Sequence, residues 1–254
     1  MSTGKKVGIF GYGFVGQALH ASLKPHNVND IDVTIFDPLK TNNRFSGIVS
    51  KELDFVFICV PTPEKDISIV EQIIDDLIIH KYSGIVVIKS TITHTDLTNL
   101  LDNHKLKIVF NPEFLNQNTY IDDSQNQKYI VLGGDYQYTK HVEELYNLTK
   151  LQFKSPKYEH CTLEDAINFK FTRNLYGAYK VLFWEFIQDR TGNARKMAQM
   201  LENIPQGEMS QVGMDGFRGF GGACFPKDLA NFHNEEGHIL TEFMIDYNES
   251  LHGE

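Results

Sequence analysis

One stretch of the chain, Gly219-Phe220-Gly221-Gly222-Ala223-Cys224-Phe225-Pro226-Lys227-Asp228, combines a thiol with residue types that could make it react. Glycines before Cys224 let backbone approach a bound molecule. Lys227 is close enough in sequence to favour the thiolate, the nucleophilic form. Asp228 can hold a water or a hydroxyl. Chemistry of this kind is nucleophilic attack by sulfur on an electrophilic carbon. The bland reading of the same loop is a turn around a buried cysteine, the commoner fate of that residue.

A second pattern binds rather than reacts. Gly11-Tyr12-Gly13-Phe14-Val15-Gly16 follows an apolar run and opens a helical pattern, and Asp37 closes the next apolar run 21 residues after Gly16. In such a turn the first glycine makes the bend, the second lets backbone approach a pyrophosphate, and the third packs helix on strand. The acid accepts the ribose hydroxyls and repels a 2′-phosphate. The combination points to NAD rather than NADP. The alternative is a glycine turn in some other α/β protein.

The elements that must position these groups alternate in type. Apolar runs at Lys6–Phe10, Asp32–Phe36, Phe55–Val60, Ile85–Lys89, Leu106–Phe110 and Tyr129–Leu132 read as strands, with helical patterns including 67–80, 95–101 and 140–148 between them. Continuous apolar strands alternating with helices predict a parallel sheet covered on both faces, a Rossmann-type doubly wound α/β fold. We place this domain at residues 1–154. From 155 to 254 the pattern predicts a small all-helical domain. Thr162 caps a long helix with Asp165 three positions on, further helices cover 194–201 and 239–250, and a glycine-rich loop occupies 207–228. Three polar segments then end strands on one edge: Cys59-Val60-Pro61-Thr62-Pro63, Lys89-Ser90-Thr91 and Asn111-Pro112-Glu113. The carboxyl edge of such a sheet is where ligands bind. Cys59 itself reads as a buried strand residue.

Composition narrows the class. The chain has 254 residues, 41% hydrophobic and 22% charged, with no apolar run of membrane-spanning length. A formal charge of −9 argues against non-specific nucleic-acid binding. Three widely spaced cysteines suggest neither a disulfide framework nor a metal site, and a reducing cytoplasm is expected.

Taken in order, these motifs resemble the UDP-glucose/GDP-mannose dehydrogenase family: the glycine turn, Cys59 to Pro63, Lys89 to Thr91, Asn111-Pro112-Glu113-Phe114-Leu115, Lys170 with Asn174, and the Cys224 loop. The resemblance implies NAD-dependent oxidation of a nucleotide sugar, UDP-glucose by default, at C6 to the acid. Two hydride transfers to NAD would pass through a thiohemiacetal and a thioester on Cys224. It implies Lys170 and Asn174 as oxyanion donors, Thr91 and Asp228 as holders of a catalytic water, and Glu113 as general base for hydrolysis. Without the match, Lys170 would read as a solvated charge and Asn174 as an ordinary surface residue. Cofactor contacts would come from residues 11 to 16, Asp37, Val60, Pro61, Thr62, Thr91, Gln117 and Lys227. The sugar would meet Glu113, Phe114, Leu115, Lys170, Asn174, Asp215, Gly216, Phe217 and Gly221. Glu185 is given a structural role.

Two departures bear on these expectations. Gln117 stands where the family usually has a second glutamate, which removes one means of tuning Glu113. Family members usually continue into a third domain that closes over the nucleotide; without it, affinity and turnover are expected to suffer. The last helix, with Leu240, Phe243 and Met244 on one side, is expected to contribute to a homodimer. The remaining alternatives are a compact single-step dehydrogenase for a sugar phosphate or hydroxy acid, and a non-catalytic NAD-binding remnant. They differ in NADH formed per sugar: two, one or none.

Overall fold

A computed structural model describes residues 4–24, 30–63, 66–101, 106–116, 118–149, 156–202, 220, 226, 229–230, 233–234 and 237–252. The chain divides into two compact units, Met1–Asn174 and Leu175–Glu254.

The first unit is built on a seven-stranded sheet. Its strands are β1 (Lys5–Phe10), β2 (Ile31–Phe36), β3 (Phe55–Ile58), β4 (Ile85–Ile88), β5 (Lys107–Phe110), β6 (Tyr129–Gly134) and β7 (Lys157–Cys161). They lie in the order β2-β1-β3-β4-β5-β6-β7. β1 to β5 are parallel, so their carboxyl ends share one edge. All four residues of β3 and all four of β4 are buried. Such strands need apolar side chains on both faces and read as continuous runs. Side chains alternate between two cores. Val56 and Ile58 pack with α3 (Ser68–Ile79) through Val70, Ile74 and Leu77. Phe55 and Phe57 face α1 (Phe14–Ser22) and α6 (Tyr136–Asn147) through Leu19, Val142 and Leu145.

The Rossmann-type sheet is present, with one change from the all-parallel expectation. β6 runs antiparallel to β5, and β7 is parallel to β6. The segment after β5 does not cross the sheet as a helix. It forms short α5 (Tyr120–Gln125), which binds α1: Ser22 Oγ donates to Ser124 Oγ at 2.9 Å, and Gln125 Nε2 donates to the Ala21 carbonyl at 3.1 Å. Having returned on the same side, the chain enters the sheet in reverse. The sheet also extends past residue 154, because Lys157–Cys161 adds an edge strand. This strand is exposed or half-buried throughout, so it has no apolar run to announce it. α2 (Gly47–Glu52) and α4 (His94–Leu101) complete the connections.

α7 (Leu163–Thr191) is one helix of 29 residues, continuous through Gly177. It starts as expected, with Thr162 Oγ1 accepting the Asp165 N–H at 3.0 Å and donating to its carboxylate at 2.7 Å. In the second unit the later part of α7 is followed by α8 (Ala194–Glu202) and α9 (Ile239–His252). The exposed side of α9 carries Ile239, Phe243 and Tyr247 rather than the expected Leu240, Phe243 and Met244. Leu240 and Met244 are half-buried, and the Tyr179 hydroxyl donates to the Met244 sulfur at 3.6 Å. Among the described residues no helix is long and apolar enough to cross a membrane, and no cluster of three His, Cys, Asp or Glu side chains could hold a metal ion.

Candidate active site

The parallel strands deliver their polar ends to one rim. Gly11 follows β1 with φ +85°, a conformation that side chains disfavour. A Cβ there would also lie 2.7 Å from the Cys59 carbonyl, so the ends of β1 and β3 touch backbone to backbone. At Gly16 a Cβ would overlap the Gly11 carbonyl oxygen. This glycine is required by the approach of α1 to the turn. Gly13 differs: a Cβ there would meet nothing within 4 Å, and the residue is exposed at the N-cap of α1 with no side-chain cap. The first-turn N–H groups of α1 have no intrahelical acceptor and face an uncovered approach, which suits a pyrophosphate.

Asp37, after β2, is fixed before any ribose arrives. Its Oδ2 accepts the Tyr12 N–H at 2.7 Å and its Oδ1 accepts the Leu39 N–H at 2.9 Å. A carboxylate has about four acceptor positions, so capacity for ribose hydroxyls remains. Gly11, Asp37, Val60 and Pro61 line a cleft of about 900 Å³ together with Arg44 and Phe45. Arg44 and Phe45 were not expected there; they sit in a segment without periodicity. Thr62 is half-buried beyond Pro61. Open Gly13, preset Asp37 and the cleft beside them fit a bound dinucleotide.

The second part of the rim is charged and buried. Glu113 follows β5 and Lys170 lies on α7. Lys170 Nζ donates to Glu113 Oε1 at 2.9 Å and to the Glu113 carbonyl at 2.7 Å. Both side chains are about nine-tenths buried. Glu113 Oε2 is also buried, with no protein donor among the described residues. Phe114 shields the pair: Lys170 Nζ and the Arg173 guanidinium each lie 5.5 Å from its ring centre, and Phe169 meets it edge-on. Asn174, one turn beyond Lys170, is exposed and accepts from Arg173 at 3.4 Å. Thr91 is half-buried at the end of β4. Ser90 beside it ties β4 to β3 by donating to the Val60 carbonyl at 2.7 Å.

Lys89 and Asn111 extend the charged region inward. Lys89 is buried, and its Nζ donates to the Asn111 carbonyl at 3.1 Å and to Oδ1 at 2.9 Å. The Tyr146 hydroxyl donates to the same Oδ1 at 2.7 Å. Tyr146 escaped the sequence reading because it sits in the apolar stripe of α6. Cys59 is buried, and burial pushes its thiol up to about 12, so it is no nucleophile near neutral pH. Val15, Leu115, Glu113, Lys89 and Tyr146 line one small cavity, which Glu113 thus shares with the first turn of α1. Asp215, Gly216, Phe217, Gly221, Cys224, Lys227, Asp228, Gln117 and the Glu185 side chain lie outside the described residues.

Comparison with known proteins agrees with this geometry. Residues 37–150 match the profile described as "UDP-glucose/GDP-mannose dehydrogenase family, NAD binding domain". UDP-glucose 6-dehydrogenase YwqF of Bacillus subtilis (strain 168) is 27% identical, covering 93% of this chain and 63% of that protein. UDP-glucose 6-dehydrogenase of Rickettsia felis is 26% identical, covering 89% of this chain and 54% of its own length. The chain thus spans between half and two-thirds of these relatives. GDP-mannose dehydrogenase from Pseudomonas aeruginosa has the same fold, with a TM-score of 0.79 at 21% identity over 96% of this chain and 68% of that one. The glycine turn precedes the matched segment and stands on its own geometry. NAD is the cofactor that both the family domain and the turn with Asp37 indicate. Over residues 37–150 the chain is similar to the NAD-binding domain of the UDP-glucose/GDP-mannose dehydrogenase family.

Proposed function

We propose that the protein oxidises a nucleotide sugar, UDP-glucose by default, at C6 to the carboxylate, forming two NADH per sugar. The observation that carries this reading is the buried Lys170–Glu113 pair, whose Glu113 lines a small cavity together with the glycine-turn helix. NAD, one molecule for each oxidation, would supply the hydride acceptor. The chain's own groups do the rest. Cys224 adds to the aldehyde carbon formed in the first oxidation, giving a thiohemiacetal, and carries the thioester left by the second. Lys170 has one N–H beyond the two given to Glu113, and it donates to the negative oxygen of the tetrahedral species with Asn174. Thr91 and Asp228 hold the water that attacks the thioester carbon. Glu113 accepts that water's proton as the C–S bond breaks and thiolate leaves. Phe114 and Leu115 keep bulk water from the pair. Self-association through the exposed α9 face belongs to the same reading.

The test is stoichiometric. The full chain is incubated with NAD and a panel of nucleotide sugars, and NADH is counted per sugar consumed. Two NADH with an acid product is expected, and Cys224→Ser should lose acid formation. One NADH with no acid, or acid made by the serine variant at the normal rate, would defeat the covalent route.

A further inference from the structure

Lys89 is a buried cation that the reaction just described does not use. Its ammonium has three N–H groups. Two go to neutral acceptors, both on Asn111. Burial pulls its pKa down and the charge of Glu113 works against that shift. Among the described residues each has something unspent: Lys89 a donor, Glu113 a buried acceptor, Oε2. Both side chains line the same cavity, with about 20 Å³ open to the centre of a water molecule. One water needs roughly 10–15 Å³ by that measure, and two to four polar partners. Lys89, Glu113 and Tyr146 are among the residues that line it.

We propose that Lys89 is a positioning residue for Glu113, acting through one ordered water in their shared cavity, so that the carboxylate keeps a cationic partner when Lys170 turns to the substrate. The water accepts from Lys89 and donates to Oε2. The need arises because Lys170 has two tasks. As it shifts toward a negative substrate oxygen, its hold on Oε1 loosens, and a buried carboxylate with no partner is costly. Lys89 cannot make the same shift, because Asn111 is itself held by Tyr146 and by donation to the Val131 carbonyl at 2.9 Å. Among the described residues, the ionisable groups around Glu113 are Lys89 after β4, Lys170 on α7, Cys59 after β3 and Tyr146 on α6. α1 and α5 contribute only apolar or hydroxyl side chains to the cavity. Removing Lys89 therefore leaves Glu113 with Lys170 alone of these two cations among the described residues.

The inference rests on the reading of Glu113 as the base, and its test separates the two. In the full chain with NAD and UDP-glucose, Lys89→Met should form acid at least about tenfold more slowly at neutral pH and accumulate a covalent adduct visible by mass spectrometry. The acid limb of its rate profile should move up by about one pH unit, with NAD affinity nearly unchanged. A variant profile that overlays the wild type overturns the proposal. Two measurements decide it without turnover. A high-resolution crystal structure should show a water within about 3.2 Å of both Lys89 Nζ and Glu113 Oε2; a dry cavity or a direct Lys89–Glu113 contact overturns it. Carboxyl NMR titration, assigned with Glu113→Gln, should move upward in Lys89→Met. If no nucleotide sugar yields NADH, the functional reading fails, and these two measurements still settle the role of Lys89.

Discussion

Lys170 and Glu113 are 57 positions apart in the chain and 2.9 Å apart in the fold, with both side chains about nine-tenths buried. A buried pair of this kind contributes little over an apolar replacement, but losing one partner strands the other. Lys170→Met should lower unfolding free energy by about 3–5 kcal/mol, and Glu113→Gln added to it should restore part of the loss. Urea midpoints at unchanged slope measure both. Equal stability of Lys170→Met and wild type would mean that the pair is not desolvated.

The glycines of the turn should separate folding from binding. Gly16→Ala drives a methyl group into the Gly11 carbonyl, so it should lower the melting temperature steeply or prevent folding. Gly13→Ala meets open space and should cost at most about 1 kcal/mol in stability. It should nonetheless weaken NAD at least tenfold, about 1.4 kcal/mol, by filling the pyrophosphate's approach. Calorimetric titration beside thermal melts reads both. Tight NAD binding by Gly13→Ala would exclude this turn as the phosphate site.

Asp37 should decide between the two nicotinamide cofactors. Asp37→Ser removes the charge that repels a 2′-phosphate, along with acceptors for Tyr12 and Leu39 N–H. The ratio of NAD to NADP affinity should fall by about tenfold or more, equivalent to about 1.4 kcal/mol. An unchanged ratio would mean that the adenosine ribose binds elsewhere.

At the sheet edge Glu143 links α6 to β7. It accepts from Lys140 and His160, each at 2.8 Å. Burial works against its charge, but those two partners outweigh it and hold the carboxyl below the usual carboxylate range. A carboxyl depressed on folding stabilises above its unfolded pKa, near 4.5, and that contribution is lost as pH falls through the lower folded value. Melting temperature should drop more steeply below about pH 4.5 in wild type than in Glu143→Gln. Parallel curves for the two proteins would rule out this linkage.

Much of the first unit was legible in the chain because its signals are local. Phe55–Ile58 and Ile85–Ile88 are buried on both faces and must be apolar without interruption, and the glycines at 11 and 16 answer to a positive φ and to the close approach of α1 to its own turn. β7 and α5 were missed for the opposite reason. An edge strand needs no apolar run, and a six-residue helix has too few positions to show a period. The reversal at β6 was hidden because strand sequence carries no direction.

The sequence by itself determined the alternation of buried strands and helices, the phosphate turn with its acid, and which residue types could react. These depend on neighbours a few positions away, where periodicity and backbone sterics act. Only tertiary structure decided that Lys170 spends two of its donors on Glu113, that Lys89 is buried against Asn111, and that Asn174, one helical turn from Lys170, is exposed. Pairing and burial of charge depend on which strand ends and helix faces meet, and desolvation acts on groups brought together from distant parts of the chain.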